Sequence, residues 1–175
     1  MKPVLFCLLF GLASCSAPQT STPAGSTSLD PVASNKEKAP VTIAYCELLQ
    51  SPEKYEQQSV RFKAIYRYGF EWAEFYSLKC ATPKSVWVKR EGARCENAGR
   101  IDELDYAGQG GRTVGVVVVG RLVGTKGGYG HLNGYDYLFR VDCLERAEVL
   151  DRDGHIPEAL TPEQRRKVEA FENSE

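Results

Sequence analysis

The stretch TVGVVVVGRLVG, residues 113–124, constrains the fold more than any other part of this 175-residue chain. Its valines occupy successive positions, so apolar side chains project from both faces of an extended strand. A strand that is apolar on both faces must be covered on both sides, which predicts a central position in a sheet. Gly115 and Gly120 interrupt the run and indicate bulges or close packing at these two points.

Further segments have the two-residue period of half-buried strands. In SVRFKAIYRY, residues 59–68, apolar and aromatic side chains alternate with mostly basic ones, and Gly69 then permits a bend into a returning strand. A short helix is predicted within residues 44–55, and another within 101–106. The remaining strand segments are FEWAEFYSLKC (70–80), SVWVKR (85–90) and YDYLFRVDC (135–143), the last continuing into 147–150.

Five strands with a helical insertion between the third and the fourth predict a mainly β chain, folded as a small, closed or partly closed five-stranded barrel, which a resemblance described below makes OB-like. A short N-terminal helix precedes this barrel, and a C-terminal helical appendage follows it. The appendage begins at Thr161, with proline next and Gln164 three residues after the cap. Its apolar contacts are Val168 and Phe171.

The stretch LLQSPEKYEQQSVRFKAIYRY, residues 48–68, supports the same fold by resemblance. It resembles the opening of exported bacterial OB-like domains, in which a P-x-x-Y turn leads into the first strand. The chain departs from that pattern at Gln57 and Gln58, where such domains commonly place a glycine. The whole domain looks most like uncharacterised bacterial lipoproteins, a resemblance that implies no catalytic residues.

The amino terminus has the layout of a secretory signal peptide: Lys2, the apolar run VLFCLLFGL, and then small residues. This run is shorter than the about 20 apolar residues that a transmembrane helix needs. It ends in LASC, which resembles the lipobox of bacterial lipoproteins, where the cysteine becomes the first mature residue and carries lipid. The resemblance implies lipidation of Cys15, and Ser16 implies the outer membrane, facing the periplasm. The alternatives are a buried core helix or an ordinary signal peptide cut before a free cysteine.

Composition divides the chain into four parts. Residues 1–14 are the predicted lipoprotein signal peptide. Residues 15–40 are rich in Ser, Thr, Pro and Ala, which predicts a disordered tether, because so few large apolar side chains cannot offset the entropy of ordering. Residues 41–150 suffice for one domain with its own core, the predicted barrel. Residues 151–175 are predicted to be a linker and the short C-terminal helix.

The charge of the predicted barrel is balanced, with 15 Lys or Arg and 14 Asp or Glu in residues 41–150. Nucleic-acid binding needs a clustered excess of positive charge, so this balance argues against nucleic acid as a partner. The sequence contains no G-x-S-x-G, H-E-x-x-H or phosphate-binding loop. We therefore expect no cofactor and no common hydrolase.

Outside the signal peptide and Cys15, four cysteines remain, an even number that predicts two disulfides in an exported domain. Four cysteines allow three pairings, and the sequence alone does not choose among them. We expect Cys80 to pair with Cys95, and Cys46 with Cys143, which would tie the first element to the last strand. Zinc or thiol chemistry is disfavoured, because the chain has no C-x-x-C pair and only two histidines.

Aromatic residues crowd the predicted hairpin of residues 66–76, and the glycine-rich stretch 126–139 brings others to one end of the barrel. The corresponding face and loops of OB folds bind ligands, with rings that stack and arginines that donate directional hydrogen bonds. The alternative is that about half of the rings fill the barrel, as strand alternation demands. The candidate ligand-binding residues are Tyr66, Arg67, Tyr68, Trp72, Tyr76, Tyr129, His131 and Tyr135.

These observations predict a lipid-anchored envelope module that binds an envelope protein or glycan without catalysis, or an accessory subunit that contributes an edge strand. Its contact with the membrane would be through lipidated Cys15. The alternative is an envelope enzyme acting on cell-wall sugars or peptides with Glu71, Glu74 or His131. Glycoside hydrolysis needs two carboxyl groups about 5 to 9 Å apart, but solvated surface positions explain the two glutamates better.

Overall fold

A computed structural model describes residues 38–81, 84–90, 95 and 111–174, and the predicted helix within 101–106 lies outside them. The strands are β1 (Val41–Thr42), β2 (Ser59–Tyr68), β3 (Ala73–Tyr76), β4 (Val86–Lys89), β5 (Arg112–Gly124) and β6 (Tyr137–Asp151). The α-helices are α1 (Tyr45–Gln50), α2 (Pro52–Tyr55) and α3 (Pro162–Asn173). Within these described ranges, no helix is long and apolar enough to cross a membrane.

The strands close into a barrel through β2. It pairs antiparallel with β5 along its whole length, from Ser59 opposite Arg121 to Tyr68 opposite Arg112, and with β3 over its last four residues. β4 joins β3 antiparallel and β6 parallel, and β6 pairs antiparallel with β5. The order β2-β3-β4-β6-β5 thus returns to β2, which confirms the predicted OB-like barrel, with β1 as an extra strand parallel to β2.

Strand alternation fills the interior of the barrel with large side chains. Phe62 lies at the centre of an aromatic cluster, with its ring centroid 5.3 Å from that of Tyr45, 5.5 Å from Phe75 and 5.0 Å from Phe139. β5 is paired on both edges, as its valine run predicts for a central strand. Its side chains in this core are Val114, Val116, Val118 and Leu122.

A second and smaller core lies outside the barrel, beneath α3. Val168 and Phe171 of this helix pack with Ile65, Tyr76 and Leu150 on the barrel strands. The helix lies close to β5 at Gly115 of that strand. A Cβ added to Gly115 would be 2.5 Å from the Phe171 ring of the helix. The predicted C-terminal appendage is therefore docked on the barrel.

Both ends of α3 are fixed by hydrogen bonds. At its start, the Thr161 side chain accepts from the Gln164 main-chain N–H, and the Gln164 side chain accepts from the Thr161 N–H, which is the predicted capping box. At its end, the Lys63 ammonium of β2 donates to the carbonyl oxygens of Phe171 and Ser174. A cation at the C-terminal carbonyls also complements the helix dipole.

The predicted disulfide pairing is wrong. The structure joins Cys46 to Cys80, with Cα atoms 5.2 Å apart, and Cys95 to Cys143, with Cα atoms 5.4 Å apart. The first bridge forms because α1 lies against β3, the second barrel strand, where the Tyr45 hydroxyl donates to the Phe75 carbonyl at 2.8 Å. The segment that follows β3 therefore comes close enough to α1 for a disulfide to join them. The helix α1 is thus bonded to this segment and not to the last strand, β6.

Candidate functional site

Three side chains form a row across the outer surface of β2, β3 and β4. The strand register places Arg67 opposite Glu74, and Glu74 opposite Trp87. Residues directly opposite one another in paired strands project on the same side of the sheet. We call these three residues the outer row.

The outer row is electrically neutral and mostly shielded from water. Arg67 Nε and Glu74 Oε1 form an ion pair whose side chains are only 15% and 13% exposed. The Arg67 guanidinium also lies over the indole of Trp72, 4.6 Å from its ring centroid. A hydrogen-bond donor, an acceptor and aromatic surface are thus held next to one another.

Two loops border the outer row, in the places where the ligand-binding loops of OB folds lie. The first loop, residues 69–72, connects β2 to β3, and the second loop, residues 125–136, connects β5 to β6. They meet where Glu71 Oε2 and His131 Nε2 are 3.7 Å apart. We call the two loops and the outer row together the two-loop face.

The second loop lies over the outer row. The rings of Tyr135 and Trp87 meet edge to face, with centroids 4.9 Å apart. Burial and the nearby Glu74 carboxylate raise the pKa of Tyr135 above its ordinary value. The main chain at Gly130 packs against the same indole. A Cβ added to Gly130 would be 2.4 Å from the Trp87 ring.

Each loop presents one large apolar side chain to solvent. Phe70 of the first loop is 83% exposed, and Leu132 of the second loop is 86% exposed. Leu132 and Asn133 have φ angles of 54° and 58°, in the left-handed region that residues with side chains rarely adopt. Strain of this kind concentrates at functional sites. Glu71 and His131 adjoin Phe70 and Leu132 in sequence, so the two exposed apolar side chains lie on loops that meet.

The structure divides the predicted ligand-binding residues into two groups. Tyr66, Tyr68 and Tyr76 are buried, at 1%, 6% and 9% exposure. Tyr66 and Tyr68 stack inside the barrel with centroids 5.1 Å apart, and Tyr76 packs beneath α3, so these rings offer no face to a ligand. The predicted residues that belong to the two-loop face are Arg67, Trp72, Tyr129, His131 and Tyr135.

Sequence reasoning missed Trp87 and Leu132 of this face as binding candidates, and it counted Phe70 among the aromatic residues of the hairpin without selecting it. Trp87 carried a signal, because strand alternation places it on the face opposite its valine neighbours and thus outside the barrel. Phe70 and Leu132 lie in loops, where no periodic pattern reports exposure. Glu74, considered only as an acid of the enzyme alternative, is the partner of Arg67 instead.

A separate group of side chains could hold a metal ion. Asp151, Asp153 and His155 each offer one ligand atom, and these atoms lie within 4.8 Å of one another. Burial opposes ionisation of Asp151, but hydrogen bonds from the Asp153 main chain and from Gln164 lower its pKa below the ordinary value. Carboxylate and imidazole ligands of this kind suit divalent metals.

The fold and the loops define the chain as an OB-like barrel with a two-loop face on its outer surface. It matches no protein family, no curated protein and no solved structure. The chemistry of the two-loop face is what the functional proposal rests on.

Proposed function

We propose that this protein is a lipid-anchored module of the bacterial cell envelope that binds an envelope protein or glycan through the two-loop face, without catalysis. The observation that carries the proposal is the paired exposure of Phe70 and Leu132, at 83% and 86%. Large apolar side chains that are exposed on neighbouring loops of one face are typical of interaction sites. The strained backbone at Leu132 adds support, because a solvent-facing leucine does not otherwise require that conformation.

The location in the envelope is supported by two independent features. The LASC motif indicates that Cys15 is the acylated residue. The disulfides Cys46–Cys80 and Cys95–Cys143 are typical of proteins in oxidising compartments. Neither feature depends on the two-loop face, so the anchor and the binding site are tested separately.

Of the two glutamates of the enzyme alternative, the more buried one is engaged in an ion pair. Glu74 is paired with Arg67, and Glu71 lies beside His131 between the two loops. A general acid or base needs a side chain that is free to exchange a proton with a bound substrate. This arrangement favours binding over acid–base chemistry.

Acylation of Cys15 is the first expected result. Mass spectrometry of the native protein should show a mature chain that begins at residue 15 and carries the mass of several acyl chains. Each buried methylene contributes about 0.8 kcal/mol, so more than one chain is needed for stable attachment. A Cys15→Ser variant should remain in the aqueous phase on detergent partitioning. An intact, unacylated amino terminus in the native protein would contradict the anchor.

The double variant Phe70→Ser, Leu132→Ser should lose its partner. Burying each of these side chains contributes about 1.5 to 3 kcal/mol, so we expect capture to fall at least about tenfold. The measurement is affinity capture by the tagged full chain from crosslinked envelopes, quantified by mass spectrometry. The control is Val149→Ser, which makes the same change of apolar to polar at a 46% exposed position on β6, outside both loops. Equal capture by the double variant, with unchanged thermal unfolding, would place the partner elsewhere.

A further inference from the structure

Asp151, Asp153 and His155 are metal-ligating side chains at alternate positions where β6 ends, and we call them the Asp–His group. His155 Nε2 is 4.0 Å from Asp151 Oδ1 and 3.9 Å from Asp153 Oδ2. Ligand atoms on a tetrahedral ion lie about 3.4 Å apart, so these two distances need to shorten by only about half an ångström to hold one. The Asp153 side chain is 68% exposed, which leaves it room to make this movement.

The Asp–His group carries negative charge that nearby side chains do not balance. Across residues 38–81, 84–90, 95 and 111–174, no lysine or arginine forms an ion pair with Asp151 or Asp153, and His155 is their partner. Lys167 acts on Asp151 only at longer range and is paired with Glu163 at 3.1 Å. Two carboxylates stay net negative beside one imidazole, even when the imidazole is protonated. A bound divalent cation would supply the missing positive charge.

The Asp151 carboxylate is already oriented by hydrogen bonds. Its side chain is only 18% exposed, and its Oδ1 accepts from the Asp153 main-chain N–H at 3.0 Å. Its Oδ2 accepts from the Gln164 side chain of α3 at 2.9 Å. A carboxylate oxygen that accepts one hydrogen bond keeps a second lone pair for a metal. Hydrogen bonds from residues outside the ligand set, such as Gln164, are typical of metal sites.

The main chain between the ligands is also held in place, by two residues outside the group. The Thr113 hydroxyl of β5 donates to the Asp153 carbonyl at 2.9 Å, and Thr113 is buried. Gly154 packs against the Trp72 ring, since a Cβ added to Gly154 would be 2.2 Å from that ring. The segment that carries the three ligands therefore needs little reorganisation to bind an ion, and preorganisation of this kind favours affinity.

The donor set favours a transition metal over calcium or magnesium. Two carboxylates and one imidazole suit zinc, whereas Ca²⁺ and Mg²⁺ prefer oxygen ligands alone. Three protein ligands leave a tetrahedral Zn²⁺ with one position for water or for a group of a partner. The sequence argued against zinc because it lacks a C-x-x-C pair and has only two histidines. The Asp–His group needs no cysteine and only one histidine.

We propose that Asp151, Asp153 and His155 form a Zn²⁺ site where the end of β6 meets α3 and the first loop. This inference goes beyond the proposed binding function and does not depend on it. Bound Zn²⁺ would draw the three side chains together. Because Asp151 accepts from Gln164, the ion would also strengthen the attachment of α3 to the end of β6.

The first test is a calorimetric titration of Zn²⁺ into the full-length protein, purified without a histidine tag and held in detergent micelles. The wild type should bind one equivalent. His155→Gln removes the imidazole ligand and should bind at least about tenfold more weakly. The matched control is His131→Gln, at the other histidine of the chain, and its affinity for Zn²⁺ should equal that of the wild type.

The second test is thermal unfolding with and without Zn²⁺. At a hundredfold excess over its dissociation constant, Zn²⁺ should raise the unfolding temperature by about 5 to 10 °C, because it binds the folded state. Asp153→Asn keeps the size of the side chain but removes its charge, and it should lose most of this rise. Ca²⁺ at the same concentration should give no rise, because it prefers a cage of about six to eight oxygens.

Several outcomes would overturn the site. They are the absence of saturable Zn²⁺ binding by the folded wild type, equal affinity in His155→Gln, and loss of binding in His131→Gln. Ca²⁺ binding as tight as that of Zn²⁺ would overturn the role of His155. Unfolding curves without metal show that each variant is folded. None of these results bears on partner capture through Phe70 and Leu132, so the metal site and the proposed function fail separately.

Discussion

Phe62→Ala should lower the free energy of unfolding by about 3 to 5 kcal/mol, which is the range for deleting a buried phenylalanine ring. Phe62 is 1% exposed, and the rings of Tyr45, Phe75 and Phe139 all lie within 5.5 Å of it by centroid distance. Closed strand pairing around the barrel limits how far these neighbours can move into the vacated space. The measurement is urea unfolding at equilibrium, followed by circular dichroism.

The same substitution at Phe70 is the matched control. Phe70 is 83% exposed, so Phe70→Ala removes an equal number of atoms without leaving a cavity. Its free energy of unfolding should stay within about 0.5 kcal/mol of the wild-type value, as is usual for surface changes. A loss below about 1 kcal/mol in Phe62→Ala would mean that the core collapses into the space, contrary to its close packing.

The two phenylalanines differ because one lies in the barrel core, which stabilises the fold, and the other lies in a loop of the two-loop face. The barrel core fixes β2, β3 and β4, and these strands hold the outer row in register. The loop that carries Leu132 is attached to that scaffold through Ser85, whose main-chain N–H donates to the Asp136 carboxylate and whose hydroxyl donates to the Gly134 carbonyl. Binding residues on loops above a rigid sheet are a common arrangement, because the scaffold positions them.

Strict alternation made β2 predictable, and local turns made β3 less so. β2 was predicted as residues 59–68 and found as Ser59–Tyr68, whereas the returning strand was predicted as 70–80 and is only Ala73–Tyr76. The Gly69 N–H donates to the Trp72 carbonyl at 2.8 Å, which closes a turn before the strand begins. After the strand, the chain leads to the Cys46–Cys80 bridge. Neither the turn nor the disulfide produces a periodic pattern in the sequence, so the sequence does not indicate where β3 begins and ends.

One departure from the OB-like pattern has a structural answer. The sequence has Gln57 where similar domains place a glycine, and Gln57 adopts a φ of 63°, in the left-handed region that favours glycine. The turn is kept in spite of the substitution, because the Gln57 N–H donates to the Leu122 carbonyl at 2.8 Å and its side chain reaches Val123. The sequence did not predict this outcome, because the departure at Gln57 left the conformation of the turn open.

The candidate site was predictable only in part. Alternation from Phe62 places Tyr66 and Tyr68 inside the barrel and Arg67 outside, so the sequence contained enough information to separate them. The covering of Trp87 by Tyr135 was not predictable, because it depends on how two distant segments of the chain meet after the barrel closes. Contacts of this kind have no local signature.

Removing the Cys46–Cys80 bridge should cost about 4 kcal/mol of stability. The bridge spans a sequence separation of 34 residues, and the entropy lost by the unfolded chain on closing such a loop corresponds to about 4 kcal/mol. That is a large fraction of the about 5 to 15 kcal/mol that stabilises a typical domain. We expect Cys46→Ser, Cys80→Ser to unfold at clearly lower urea concentration and to release α1 first, because α1 is small and the bridge attaches it to the end of β3.

The matched variant Cys95→Ser, Cys143→Ser removes the other bridge, whose sequence separation is 48 residues, and its cost should be similar at about 4 kcal/mol. The two variants should differ in where protection from hydrogen exchange is lost: at α1 in the first, and along β6 near Cys143 in the second. Peptide mapping under non-reducing conditions tests the pairing directly. Peptides linking residue 46 to 143 and residue 80 to 95 would contradict the barrel geometry, because they would require α1 to leave β3.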